Sequence, residues 1–453
     1  MKSEFKARLL ACIILAFAVF AFCTSCSSEK HEDPDNEEEG ASSTAIQTTD
    51  TIACDEVVQE NPSTNWDGAD VKIICEDNVN FNDMFFADDV NDLYSSLCAK
   101  RDQKISEHIG VNIEYCNTAN VFDDVQQANN SGESYQAVYA SGGGGMSSLM
   151  LYGYLEPLYP DGNIPTNGVS VSVLRQLSFD GNLYMMTGAP IRSSVSETVV
   201  VGYNKNQLDD IGYKEGYLKE LVMEGAWTHD SLHKLIKDSS GSGLLSGEDT
   251  AYYLWQGMGA VTMEKSAGDI PVVSIYNPQN VFYFEHVHDL YSKIGITSED
   301  TEPLFVINDI GEISATYGES FGILPLPAFH ENNEYTCVLD FSNTFFTSIP
   351  SCALDSYTLS QDYLTELYVQ SIDTTYSSVV SEYSFGDERM LDIILKSRYF
   401  DFLDMYGLGH IMKTAFSTQS NKTDFDKLLG QRAKFAEQAL DIVLRQTVGE
   451  NLR

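Results

Sequence analysis

A strand, an amphipathic helix and a second strand follow one another near the start of the folded part, and this order constrains the fold most. Residues 71–75 form a short apolar run, residues 84–109 carry apolar side chains at helical spacing, and residues 111–115 alternate. Such a succession builds parallel sheets. A further helix is predicted at 121–131 and a third strand at 136–140, so the sequence predicts an α/β fold.

Two polar loops follow predicted strands, at residues 76–80 and at residues 141–145. Ligands of open α/β sheets bind beyond the carboxyl ends of the strands, so both loops are candidate ligand-binding segments. The second loop holds four consecutive glycines, which allow a ligand to approach the backbone closely. It matches neither the lysine-containing phosphate loop nor the dinucleotide fingerprint, so nucleotide binding is not predicted.

The first 26 residues have the layout of a secretory signal. An unbroken apolar run of 14 residues follows three basic residues and precedes small residues that end at Cys26. The run is shorter than the roughly 20 residues that a membrane-spanning helix needs, so residues 1–25 are predicted to be a signal peptide. The Thr24-Ser25-Cys26 exit resembles a bacterial lipobox and predicts lipidation of Cys26, with an ordinary cleaved signal as the alternative.

Residues 26–65 are predicted to be a disordered acidic linker, because like charges repel and few apolar side chains are present to form a core. The remaining residues, 66–453, exceed the size at which one core usually divides, which favours two domains. The chain has 27 basic and 67 acidic side chains, a formal net charge of −40. This acidity disfavours binding to nucleic acid or to an anionic lipid surface.

No residue pattern predicts catalysis, a metal site or a cofactor. The six cysteines beyond the signal are scattered, and Cys75 and Cys116 are predicted to be buried free thiols, with disulfides as the open alternative. His229 and His233 stand four residues apart on a predicted helix but have no evident third ligand, so exposed helix histidines are predicted. No nucleophile-elbow motif occurs.

Six motifs follow one another along the chain: DGNLYMMTGAP (180–190), VVVGYNKNQLDDIG (199–212), EGAWTHDSLHKLIKD (224–238), GMGAVTMEKSAGDIPVVSIYNPQNVFYFEHVHDLY (257–291), FGILPLPAF (321–329) and ERMLDIILKSRYFD (388–401). In this order they resemble the extracellular solute-binding proteins of bacterial ABC importers, in particular the carbohydrate-type group.

The resemblance implies a two-lobe periplasmic-binding-protein-like (type II) fold with hinge strands and a ligand cleft between the lobes. Lobe one would comprise about 66–185 and 325–380, and lobe two about 190–320 and 385–453. The hinge crossings would lie at Tyr184–Pro190 and Gly322–Pro327.

In function, the resemblance implies a lipoprotein on the extracellular side of the cell membrane. It would be a monomer, without a cofactor and not an enzyme, that captures a mono- or oligosaccharide and passes it to the permease subunits of an ABC importer. A cell-surface glycan-active enzyme or a glycan-adhesion module is the alternative.

Sugars present flat apolar faces and many hydroxyls, so aromatic rings beside polar side chains suit them. Tyr252, Tyr253 and Trp255 cluster where the resembled family has its second-lobe aromatic platform, and core packing is the alternative role for these rings. The predicted ligand-binding residues are Asp77, Asn78, Asn80, Ser141, Gly142, Gly143, Tyr252, Tyr253 and Trp255.

Overall fold

The chain builds two main sheets, each covered by helices. The computed structural model describes residues 64–77, 93–160, 170–179, 181–239, 243–245, 249–265, 270–293, 302–417 and 424–448. The predicted signal peptide, Cys26 and nearly all of the predicted linker lie outside the described residues, as do Asn78 and Asn80. The described residues belong to one compact unit, Thr51–Arg453.

The strands are β1 (Ala69–Glu76), β2 (Val111–Thr118), β3 (Ala137–Ser141), β4 (Leu155–Glu156), β5 (Ser178–Phe179), β6 (Asn182–Leu183), β7 (Val199–Asn204), β8 (Leu244–Leu245), β9 (Met263–Lys265), β10 (Pro271–Val273), β11 (Phe305–Asp309), β12 (Phe321–Leu324), β13 (Cys337–Val338), β14 (Phe345–Pro350) and β15 (Arg398–Tyr399).

The helices are α1 (Leu93–Ile109), α2 (Val121–Ser131), α3 (Ser147–Leu151), α4 (Val171–Leu177), α5 (Ser193–Ser196), α6 (Lys205–Asp210), α7 (Glu215–Met223), α8 (His229–Asp238), α9 (Thr250–Gly257), α10 (Pro278–Lys293), α11 (Ile310–Tyr317), α12 (Tyr357–Ser371), α13 (Ser377–Tyr383), α14 (Glu388–Lys396), α15 (Phe402–Met405), α16 (His410–Ser417) and α17 (Phe425–Val448). Short 3-10 or π-helical turns occupy Gly142–Met146, Gly318–Ser320, Ser351–Ser356 and Ile372–Tyr376.

The first sheet has the strand order β2-β1-β3-β14-β4. Its strands β1, β2 and β3 are parallel, as the strand–helix–strand pattern predicted. Strand β14 enters from far along the chain and runs antiparallel to β3, so that Phe345 lies opposite Ser141. The carboxyl ends of β1 and β3 and the start of β14 therefore meet at one edge of the sheet.

The second sheet has the order β12-β7-β11-β8. Strand β7 pairs antiparallel with both β11 and β12. Helix α8 begins with a capping box. The Thr228 side chain accepts a hydrogen bond from the Ser231 N–H, and the Ser231 side chain accepts one from the Thr228 N–H. Trp227 is fully buried and donates its indole N–H to the Pro325 carbonyl at 2.8 Å, which ties the start of α8 to the segment after β12.

Three segments lie where the chain passes between the two sheets: one through Met186, a second through Leu339 and a third through Tyr399. The first passes through Met186, which pairs with Thr347 in β14, and agrees with the predicted crossing at Tyr184–Pro190. The predicted crossing at Gly322–Pro327 is wrong, because Phe321–Leu324 is an edge strand of the second sheet.

The chain returns to the first sheet only after β13. The prolines at 325 and 327 end the strand as expected, but Ala328 pairs with Thr228 and keeps this segment on the second sheet. Leu339 then pairs with Thr198 of the first segment, and β13 pairs with β15 of the third. The three segments thus lie side by side.

The five cysteines within the described ranges are free. Cys75 is buried as predicted, while Cys116 is only partly buried. Of the helices in the described part, none combines the length and the apolar character needed to cross a bilayer.

Candidate ligand site at the junction of the two sheets

The glycine loop after β3 is shaped by Glu76, the last residue of β1. The Glu76 carboxylate accepts the Ser141 N–H at 2.7 Å, and the Ser141 hydroxyl oxygen accepts the Gly144 N–H at 2.8 Å. A Cβ atom at position 144 would lie 1.9 Å from a Glu76 oxygen. A side chain at 144 would therefore force the carboxylate away from the loop.

The other side of the loop contacts the turn before β14. Gly142 donates its N–H to the Thr344 carbonyl and Gly143 to the Ser342 carbonyl, both at 3.0 Å. A Cβ atom at position 142 would lie 2.2 Å from the Phe341 carbonyl oxygen. Gly142 is buried and Gly143 is exposed. The amides of Gly142, Gly143 and Gly144 thus bind protein atoms, and the loop offers a ligand its surface rather than these donors.

Asp77 lies at the same edge and is exposed. Its own N–H donates to the Thr118 carbonyl at the end of β2 at 2.7 Å, which continues the β1–β2 pairing by one residue. The structure therefore brings Asp77, Ser141, Gly142 and Gly143 together, as strand-end reasoning predicted.

The three rings of helix α9 have different surroundings. Tyr252 is 1% exposed and Trp255 is fully buried, whereas Tyr253 is half-buried. The Trp255 indole N–H donates to the Asn280 carbonyl at 3.2 Å, and its ring packs on Phe416 with 5.7 Å between centroids. Tyr252 and Trp255 thus take the core role that the sequence left open, and neither ring can stack on a ligand in this conformation.

A buried hydrogen-bond network holds Tyr252. Its hydroxyl donates to the Asp401 carboxylate, which also accepts the Thr262 hydroxyl. Gln256 donates to the Tyr252 hydroxyl at 3.0 Å and to Asp401 at 3.3 Å. Burial raises the pKa of Asp401, and the hydrogen bonds from Thr262 and Tyr252 act against that rise. This network fixes the rotation of α9 about its axis.

With that rotation, Tyr253 lies beside Lys413 of helix α16. The Lys413 ammonium is 5.7 Å from the centre of the Tyr253 ring, 3.4 Å from the Asp249 carboxylate and 3.9 Å from the Asp340 carboxylate. Burial alone would lower the pKa of Lys413, but Tyr253 and the neighbouring carboxylates outweigh it and raise the pKa. Lys413 is therefore protonated and neutralises part of the surrounding negative charge.

Asp340 connects this cluster to the glycine loop. Its carboxylate accepts the Ser342 N–H at 2.9 Å and the Asn343 N–H at 3.2 Å. Because the Ser342 carbonyl receives the Gly143 N–H, one chain of contacts runs from the strand ends of the first sheet to Tyr253. We call the surface formed by Asp77, Gly143, Ser342, Asp340, Asp249, Tyr253 and Lys413 the junction site.

Sequence reasoning missed Asp249, Asp340 and Lys413. The Asp340–Asn343 segment carries a usable signal, since an aspartate at the start of a short polar stretch between two apolar runs is typical of a turn. Nothing in the local sequence distinguishes Lys413 from other helix lysines, because its partners lie far away along the chain.

The prediction of exposed histidines is wrong for His229. Its side chain is 1% exposed, at the start of α8, and its ring centre lies 5.8 Å from that of His286. Burial, together with His286, lowers the pKa of His229 to about 3, so the ring is neutral. His233 is half-buried. Across the described residues, no group of three or more His, Cys, Asp or Glu side chains is arranged to hold a metal ion.

No protein-family model and no curated protein sequence matches the chain. Solved structures do. RafE from Streptococcus pneumoniae, in its apo form, matches with a TM-score of 0.55 at 10% identity over 84% of this chain and 100% of its own. The cyclic alpha-maltosyl-1,6-maltose binding protein from Arthrobacter globiformis matches with a TM-score of 0.55 at 11% identity, over 83% and 99%. The GacH receptor of Streptomyces glaucescens GLA.O matches with a TM-score of 0.52 at 14% identity, over 83% and 99%.

These similarities extend over nearly the full length of each solved chain, but the sequence identity is low. They therefore show a shared fold. Together with the two sheets and the three segments between them, they confirm the architecture that the motifs implied. The chain has the two-lobe α/β fold of the periplasmic-binding-protein type.

Proposed function

We propose that this chain is an extracytoplasmic substrate-binding lipoprotein that captures a mono- or oligosaccharide and delivers it to an ABC importer. The fold supports the proposal, since the GacH receptor was solved in complex with acarbose and the Arthrobacter protein is a binding protein for a cyclic maltose derivative. Lipidation at Cys26 would hold it on the extracellular side of the membrane, and the importer's permease subunits would be its partners.

The junction site is the observation that carries the proposal. It combines one accessible aromatic ring, Tyr253, with the carboxylates of Asp249 and Asp340 and the ammonium of Lys413. An aromatic face packs against the apolar face of a sugar, and carboxylates accept hydrogen bonds from its hydroxyls. The predicted stacking role is therefore proposed for Tyr253 alone.

The two lobes would each supply part of this site. Asp77 and Gly143 belong to the first-sheet side, and Tyr253 lies on a helix of the second-sheet side. A ligand that contacts both parts favours the closed arrangement over the open one. The side-by-side segments through Met186, Leu339 and Tyr399 would absorb the backbone change on closure.

The test is calorimetry on wild type and Tyr253→Ala with ligands found in a thermal-shift screen of mono- and oligosaccharides. Loss of a stacked ring should cost about 2 kcal/mol, a weakening of affinity of roughly thirtyfold. Tyr217→Ala is the matched control. Tyr217 is a half-buried tyrosine of helix α7, away from α9, and its ring packs on that of Tyr213. The control should bind like wild type.

Two results would contradict the proposal. Unchanged sugar affinity in Tyr253→Ala would show that the sugar does not bind at the junction site. Release of shorter sugars during incubation would instead favour the glycan-active enzyme.

A further inference from the structure

Two adjoining depressions lie outside the junction site, between strand β10, the start of helix α10 and helix α17. Their volumes are about 340 Å³ and about 500 Å³, and both are lined by Tyr276 and Asp426. Each volume falls within the range of roughly 300–1,000 Å³ found for small-molecule sites. We call the two depressions together the lateral groove, and its principal lining side chains are Tyr276, Phe282, Glu285, Asp426, Gln431 and Lys434.

Two aromatic rings in the lateral groove face solvent. Tyr276 is 51% exposed and Phe282 is 53% exposed, although most large apolar side chains among the described residues are buried. Both rings are held in place. The Tyr276 hydroxyl donates to Asp426 at 3.0 Å, and Phe282 packs edge-on against Phe329 with 5.4 Å between ring centres. Rings that are already fixed lose little freedom when a ligand stacks on them.

The charges that line the lateral groove nearly balance. They come from Glu285, Asp426, Glu437, Lys427 and Lys434. Three carboxylates and two ammonium groups leave a formal charge of −1 in the groove. This near balance suits an uncharged ligand, and the carboxylates disfavour phosphate groups of nucleic acid or lipid.

Rings and hydrogen-bonding groups alternate along the groove. Glu285 lies one helical turn from Phe282 on α10, and the Asp426 carboxylate lies beside the Tyr276 hydroxyl. A purely apolar partner surface would bury the Glu285 carboxylate and would leave Asp426 without hydrogen bonds to the partner, which is unfavourable. A sugar chain offers apolar faces to the rings and hydroxyls to the carboxylates.

We propose that the lateral groove is a second carbohydrate site, which binds a neutral oligosaccharide across Tyr276 and Phe282. The hydroxyls of the sugar donate to Asp426 and Glu285. The groove shares no residue with the junction site, so the proposal does not rest on the function proposed for the junction site.

Native mass spectrometry of the mature protein with cellohexaose, maltohexaose and mannohexaose tests this proposal by counting bound sugars. We expect wild type to bind one more molecule of at least one probe than Tyr276→Ala/Phe282→Ala does, with at least a tenfold weakening at the groove. Phe435→Ala is the matched control. Phe435 is 53% exposed on α17 but does not line the groove, so this variant should bind like wild type.

The Tyr253→Ala variant separates the two sites. If Tyr253→Ala alone loses a bound sugar, the junction site is supported and the groove is not a sugar site. Alternatively, wild type and Tyr253→Ala both bind one sugar while the groove variant binds none. The second pattern supports the groove and contradicts the junction site. The groove proposal is overturned if the groove variant binds as many molecules of every probe as wild type, including none, and the exposed rings would then belong to a protein contact.

Discussion

The glycine loop and helix α9 are built in opposite ways, although both contribute to the junction site. The glycine loop is held by backbone groups, with each of three successive amides bound to a protein oxygen. Helix α9 is held by side chains, through the network of Tyr252, Gln256 and Asp401 and the packing of Trp255. The glycine loop depends on the absence of side chains, whereas helix α9 depends on the burial of Tyr252 and Trp255.

This difference predicts how each region responds to mutation. In the glycine loop, adding an atom is harmful, since backbone oxygens and the Glu76 carboxylate already occupy the space. In helix α9, removing atoms is harmful, since a buried ring leaves a cavity and a buried carboxylate leaves an uncompensated charge. Three changes to the chain test the contrast.

The largest expected effect is that of Trp255→Ala. Truncating a fully buried tryptophan should lower the free energy of unfolding by about 3–5 kcal/mol, measured by urea denaturation. Tyr253→Ala, two residues earlier on the same helix, should cost much less because that ring is partly exposed. If Trp255→Ala keeps wild-type stability and loses sugar binding instead, our division of the helix into core and ligand faces is wrong.

Gly142→Ala should destabilise the protein by about 3 kcal/mol, near the upper end of the usual range for overpacking, because the obstructing atom is a backbone carbonyl. Gly216→Ala in helix α7 is the control. Apart from its chain neighbours and the backbone of its own helix, no described atom lies within 4 Å of the position that its Cβ would take, and alanine is the better helix former. The control should be neutral or slightly stabilising, and equal effects in both variants would show that the loop has room to adjust.

The smallest expected effect concerns pH and His229, whose ring lies near the backbone of Leu254 in α9. The folded state holds this pKa at about 3, below the ordinary value of 6.5. As the pH falls, the unfolded chain takes up the proton first, so stability is lost between about pH 6.5 and pH 3. The loss between pH 7 and pH 5 should be about 2 kcal/mol.

Urea denaturation of wild type and His229→Gln at pH 7 and pH 5 measures this contribution. The variant should lack the 2 kcal/mol difference in unfolding free energy between the two pH values. His233→Gln, which alters a half-buried histidine one turn further along α8, should keep it. A wild-type difference that survives in His229→Gln would assign the pH dependence to other groups.

Local sequence signals located much of the fold. Helix α2 begins and ends where the pattern predicted, since Asn120 caps it and Gly132 adopts φ +79 at its end. Strand β3 is displaced by one residue from its prediction, and β1, β2 and β3 are parallel as predicted. These features depend on residues that are close together in the sequence, so the sequence alone predicts them.

The ligand-facing side of α9 and the place where the chain returns to the first sheet depend on long-range packing, which the sequence pattern does not show. Tyr252 and Trp255 share one side of the helix and Tyr253 lies on another, and the side that is buried depends on Asp401 and Phe416, about 150 residues away. The return crossing was misplaced for the same reason, since contacts with Trp227 and Thr228 hold the segment after β12 on the second sheet. Neither partner is visible in the local pattern.

The position of β14 has a consequence for the order of folding. This strand lies between β3 and β4 in the first sheet, yet it is made only after all four strands of the second sheet. Until residues 345–350 join the sheet, β3 and β4 have no shared partner and β3 keeps an open edge, which is where unwanted strand pairing begins. The second sheet can form earlier from continuous chain. The first sheet therefore begins first and is completed last, and the late arrival of one six-residue strand sets the time during which the newly made protein is exposed to misassembly.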